Sequence, residues 1–204
     1  MRGSRILFVV SIVLATGLSQ RPARALEAAD PSSLITNLVS EAVAEMKQTE
    51  EPDEMRASKF RALLEAGFDI PRISRFVLGR FWNAASEAER REFATLFEDW
   101  IVRTYSTRFR DYGGQTIKVT GTRPENEVST VVLSQFINPG AAQPAKVEWH
   151  VRKEADGSYK IIDVSVEGIS MALTQRDEIA AVADRNGGTA SGLNKALEER
   201  LAQK

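Results

Sequence analysis

One change of periodicity constrains this chain more than any other feature. Up to Gly113-Gly114 the apolar residues recur at helical spacing, and beyond it they alternate or run in short β-branched stretches. Asp30-Pro31 supplies a cap followed by proline in a first turn, and Leu34, Ile35, Leu38, Val39, Ala42, Val43 and Met46 then trace one helical face. A second helix is predicted from Asp53 or Glu54 to Glu65, stopping near Gly67, and Pro71 opens a shorter one that runs to Gly79. Ser86-Glu87-Ala88-Glu89 is a capping box, because the serine and the glutamate can each satisfy an unpaired amide of the first turn. No glycine or proline interrupts the chain from there to about Asp111, which predicts a long helix carrying Phe93, Leu96, Phe97, Trp100, Ile101, Tyr105 and Phe109.

Four strands follow, over 116–121, 128–137, 146–153 and 159–167. They are parted by Arg123-Pro124-Glu125-Asn126, Asn138-Pro139-Gly140 and Asp156-Gly157-Ser158, so an antiparallel meander is the simplest pairing. Helical patterns return over 174–184 and 191–202. Helices, strands and helices in that order are an α+β arrangement, with helices covering one face of a curved sheet.

The chain opens with Arg2 and Arg5, an apolar run from Ile6 to Leu18, and Ala23-Arg24-Ala25. That order is a signal peptide, and the apolar run is too short for the roughly 20 residues a spanning helix needs. Residues 1–25 are expected to be removed, which leaves one domain over 26–204 in the periplasm. Cysteine is absent, so no disulfide supports the fold and no lipidated cysteine can anchor it. Residues 1–25 hold four arginines and no acid, leaving 23 basic residues against 28 acidic ones, a formal charge of −5. Nucleic acid is therefore not expected as the partner.

The common catalytic sets are missing. The one histidine, His150, lies on the strand face opposite Val147, Trp149 and Val151 and is expected to face solvent. Gly168-Ile169-Ser170-Met171-Ala172 comes near a nucleophile elbow but lacks its last glycine. With one histidine and no cysteine, neither a zinc site nor any other metal or cofactor is expected. Asp163 and Glu167 share a strand face, but four residues along a strand span roughly 13 Å, more than the about 5–9.5 Å used by paired carboxylates in glycosidases. Arg103, Arg108 and Arg110 form a charge cluster on the long helix, to be read as a solvated face, a head-group rim or a protein contact.

Two stretches carry a family resemblance. The first is Phe76-Val77-Leu78-Gly79-Arg80-Phe81-Trp82, followed by the helix with Phe93, Phe97, Trp100 and Tyr105 and by Tyr112-Gly113-Gly114-Gln115. The second joins Trp149-His150-Val151-Arg152-Lys153 to the run from Tyr159 through Val166-Glu167-Gly168-Ile169-Ser170-Met171. Together they resemble the toluene-tolerance or MlaC family of periplasmic phospholipid carriers, including its branch associated with hopanoid biosynthesis. The resemblance implies a curved antiparallel four-stranded sheet wrapped by N-terminal and C-terminal helices, with acyl chains in an apolar cavity between them. It implies a soluble shuttle for phospholipid or hopanoid between an outer-membrane lipoprotein complex and an inner-membrane ABC transporter with an MCE-type subunit. Carried over by position, Tyr105 on the long helix is expected to line the lipid pocket; Ile101 and Phe97, one and two turns earlier on the same stripe, and Val164 and Val166, inward candidates from the last strand, complete the expected lipid-binding residues. Two other readings stay open: an enzyme acting on a polycyclic lipid by proton transfer, with Tyr105 and Asp163 as its pair, and a structural envelope protein whose apolar stripe is filled core.

Overall fold

A computed structural model describes residues 28–48, 51–107 and 112–203. The expected leader over 1–25 lies outside these residues, as do Arg108, Phe109 and Arg110.

Six helices and a five-stranded sheet make up the described chain. Helix α1 (Pro31–Met46) is capped by Asp30, whose carboxylate accepts from the Ser33 amide at 2.9 Å. Helix α2 (Asp53–Gly67) ends where Phe68 bridges to the sheet and the Asp69 amide donates to the Ile161 carbonyl at 2.9 Å. Gly67 packs closely on α1, where a Cβ would sit 3.0 Å from a methyl carbon of Leu38 and that side chain would have to shift. Helix α3 (Ile70–Leu78) runs into a single 3-10 turn, Gly79–Phe81. The capping box forms at α4 (Glu87–Ser106), with the Ser86 amide donating to Glu89 at 2.7 Å and the Glu89 amide to the Ser86 hydroxyl at 3.2 Å.

Strands β1 (Thr116–Pro124), β2 (Ser129–Ile137), β3 (Ala145–Lys153) and β4 (Tyr159–Val166) form the expected antiparallel meander. The sheet has a fifth strand, β5 (Ile169–Ser170), where four were expected. Its cause is local. Glu167 and Gly168 take φ of 50° and 80°, both left-handed, so the chain reverses in two residues and Ile169 pairs with Val166. Ser170 then caps α5 (Met171–Arg185), which starts three residues before the expected position, and α6 (Ala190–Ala202) follows.

Space around a Cβ at Gly168 is open, so substitution there costs conformational energy alone. Gly168→Ala is expected to lower stability by about 1–2 kcal/mol, the cost of holding an L side chain at left-handed φ. Denaturant midpoints of the two proteins check this, and an unchanged midpoint would mean the turn is not formed as described.

Burial divides the molecule in two. Leu34, Ile35 and Leu38 of α1 pack on Val132, Val147, Trp149, Val151 and Ile161 of the sheet. Beside this layer, α3, α4, α5 and α6 close a separate helical core around Phe93, Phe97, Leu193 and Leu197. The opposite sheet face carries Glu148, His150 and Arg152, as one solvated face requires.

Candidate functional site

The two halves of α1 do different things. Its first turns bury Leu34 and Ile35 completely on the sheet, whereas Val39, Ala42, Val43 and Met46 further along face open space. Phe60, Leu63 and Leu64 of α2, with Phe68, form the second wall of that space, and Ile117 of β1, Phe136 of β2 and Trp149 of β3 form its floor. The result is an open-sided pocket of about 560 Å³ whose described lining residues include no charged side chain. Tyr112, Gln115 and Thr116 are its polar members.

Each wall has a visible means of support. The Trp149 indole donates to the Ser134 hydroxyl at 2.9 Å, and that hydroxyl donates to the Val147 carbonyl at 3.1 Å, so a ring beside apolar space keeps its polar edge satisfied. Helix α2 is held from outside. Lys59 pairs with Glu45 of α1 at 2.6 Å, Arg61 pairs with Glu98 and with Asp99 of α4 at 2.5 Å for the latter, and Lys160 of β4 donates to the Glu65 and Ala66 carbonyls at 2.8 and 2.7 Å. Burial pushes the Lys160 ammonium below the usual lysine range, and burial with the nearby Glu98 pushes the Glu65 carboxyl up.

None of the five residues expected from the resemblance lines this pocket. Phe97 is 2% exposed and stacked on Phe93, with ring centroids 5.7 Å apart, inside the helical core. Ile101 packs against that core and against Leu64, Ile70 and Val102, and Tyr105 is half-buried on the last turn of α4. Val164 pairs with Trp149 and packs against the α1–sheet core, while Val166 is exposed at the β4–β5 turn. The stripe on α4 is wide because it packs against three other helices, α2, α3 and α6.

The acid and hydroxyl groups weighed for catalysis have structural partners. The Asp163 carboxylate accepts from the Val164 and Ala172 amides at 2.7 and 2.9 Å and from the Ser170 hydroxyl at 2.5 Å, which pins the start of α5 to β4. Ser170 also accepts from the Leu173 amide at 3.0 Å as the helix cap. His150 is half-buried and its Nδ1 lies 2.9 Å from Glu125 Oε1. Arg103 donates to the carbonyls of Arg200, Leu201 and Gln203, closing the end of α6. Among the described residues no group of three or more side chains could hold a metal ion, and no described helix is long and apolar enough to cross a membrane.

Sequence reasoning saw the α1 stripe but gave it no role. A filled core and a lined pocket use the same apolar residues at the same spacing. The signal that was present is the length of the stripe, which continues to Met46 past the part of the sheet that α1 covers.

Comparison with known proteins agrees with the architecture. The family model described as MlaC protein matches residues 35–199. Among solved structures, the phospholipid-binding protein from Ralstonia solanacearum, in complex with a phospholipid, is similar with a TM-score of 0.72 and 24% identity, covering 86% of this chain and 98% of that one. That likeness is one of fold.

Proposed function

The chain belongs to the MlaC protein family, and from that premise we propose that it is a carrier that shields the acyl chains of a phospholipid in the pocket between α1, α2 and the sheet. The observation that carries this reading is the predominantly apolar set of described residues that lines a space about 560 Å³ in volume. A methylene is close in size to a water molecule, whose share of liquid volume is about 30 Å³, so the space takes on the order of 18 methylenes, one acyl chain. Burying about 16 of them contributes roughly 13 kcal/mol at 0.8 kcal/mol each before the costs of binding. A diacyl lipid needs the walls to move apart. Helix α2, whose outward ties include partly exposed ion pairs that each contribute little, is the wall proposed to give way.

No charged side chain lines the pocket among the described residues, and the head group is placed at its open side. In the fuller form of the proposal, residues 1–25 are cleaved and the domain over 26–204 moves through the periplasm. There it serves as the substrate-binding component between an outer-membrane lipoprotein complex and an inner-membrane MCE-type ABC transporter. Phospholipid is the proposed cargo because the related Ralstonia fold holds one, and a hopanoid is the alternative. The enzyme reading loses its acid, since every hydrogen bond described for Asp163 goes to the β4–α5 junction.

Native mass spectrometry of protein purified without added lipid tests the proposal. The expected result is one phospholipid per chain on a polypeptide that begins at Leu26. An empty protein would overturn the carrier, and a hopanoid in place of phospholipid would change the cargo.

A further inference from the structure

Arginines gather on a part of the surface that shares no residue with the lipid pocket. Arg72, Arg75 and Arg80 from α3 and the following turn meet Arg176 of α5 around Phe76 and Gly79, lining an open groove of about 410 Å³. Three of the four guanidiniums lie over aromatic rings: Arg75 is 5.5 Å from the Trp82 centroid, Arg80 4.8 Å from Phe81, and Arg176 5.1 Å from Phe76. A guanidinium held by its face keeps its edge free and oriented for a carboxylate.

Not all of that charge is spoken for. Arg72 pairs with Asp69 at 2.7 Å and Arg80 pairs with Asp184, but no carboxylate among the described residues pairs with Arg75 or Arg176. Gly79 makes the arrangement possible. Its φ is +55°, and a Cβ there would lie 2.9 Å from Arg176 Nε, so any other residue would displace that side chain. Exposed apolar side chains accompany the arginines: Phe76 in the groove is 42% exposed, Leu173, one turn before Arg176 on α5, is 49% exposed, and Ile169, just ahead of that helix in sequence, is 64% exposed. Arginine and aromatic side chains beside exposed aliphatic ones are the composition of a protein interface.

We propose that the groove around Gly79 is the docking surface for an acidic segment of a partner protein that presents carboxylates beside an apolar side chain. The inference deepens the carrier reading and rests on it, because a carrier must stop at a donor and at an acceptor. A membrane fits the groove less well: segments that hold anionic bilayers gather about four to eight free cations, and here two of the four arginines are already paired. A small anion would satisfy Arg75 and Arg176 but leave Phe76, Leu173 and Ile169 exposed.

The test places a photo-crosslinking amino acid at position 173 of the full chain in its own host, with and without Arg75→Glu and the pair R75E/R176E. The single change is included because R176E alters packing at Gly79. Lipid content and melting temperature are measured on each purified protein. The expected result is capture of one protein through a peptide containing aspartate or glutamate, reduced about tenfold or more in both variants, as for loss of an interface hot spot. Lipid content stays unchanged, and lysine in place of the partner's acids restores capture by the variants.

Four outcomes overturn the docking site. They are capture undiminished in both variants, no protein captured by a loaded carrier, sedimentation of wild type but not R75E with phosphatidylglycerol vesicles, and stoichiometric binding of inorganic phosphate without protein capture. An empty wild-type protein overturns the carrier reading and the docking inference together.

Discussion

Ala42→Trp is expected to empty the protein of lipid while leaving its fold intact. Ala42 is half-buried on α1 and faces the pocket, so an indole there occupies space that holds no protein atoms. Overpacking penalties arise where side chains are already in contact, which is not the case at an open-sided pocket. Excluding about 8 methylenes removes roughly 6 kcal/mol of transfer free energy, or about four orders of magnitude in affinity. Lipid retained on purification should fall from near one per chain to background. Ala44→Trp, on the exposed side of the same helix, is the control and should change neither lipid content nor stability. Equal lipid in both variants would mean that acyl chains lie elsewhere.

The opposite pattern is expected for Phe97→Ala. Phe97 is 2% exposed and stacked against Phe93 in a core closed by α3, α5 and α6. Truncation there should cost about 3–5 kcal/mol, the range for a large aromatic side chain in close-packed surroundings. Against a total of roughly 5–15 kcal/mol, this is a large share of the stability of the domain. Denaturant unfolding of delipidated proteins measures it, since bound lipid would itself stabilise the native state. Lipid per folded molecule should stay near the wild-type value. A loss below about 1 kcal/mol, well under the range for such truncations, accompanied by loss of lipid would place the acyl chain at Phe97 after all.

These two substitutions also mark how far the sequence could be read. Local chemistry was legible: Asp30-Pro31, the Ser86–Glu89 box and the turn residues between strands each do what their side chains allow in isolation. The meander was legible for the same reason, because Val147, Trp149 and Val151 alternate with His150 and Arg152 as a half-buried strand must. The fifth strand was not. It is two residues long, and it depends on Glu167, a residue that seldom takes positive φ, doing so beside Gly168.

The site was legible only as a set of apolar stripes. Which stripe is filled and which faces open space is decided by what packs against it, and that depends on contacts far apart in sequence. The α4 stripe meets Leu193 and Leu197 of α6, almost a hundred residues later, and is filled. The α1 stripe runs on past the buried Leu34, Ile35 and Leu38, and its later residues share an open space with Phe60 and Leu63 of α2 and with Ile117 and Phe136 of the sheet. Three of the five residues expected from the resemblance, Phe97, Ile101 and Tyr105, fall on the α4 stripe, whereas the more generic first helix lines the pocket.

The central claim is that an acyl chain lies between α1, α2 and the sheet. A phospholipid with a photoreactive group at the end of one chain, loaded into the intact protein and irradiated, reports the position of that chain by peptide mapping. On that claim, labels are expected on 38–46 of α1, on 60–67 of α2 and on Phe68, with Ile117 and Phe136 as the sheet positions reached. Labels confined to Phe97, Ile101 and Tyr105 of α4 and to Val164 and Val166 of β4 would contradict it.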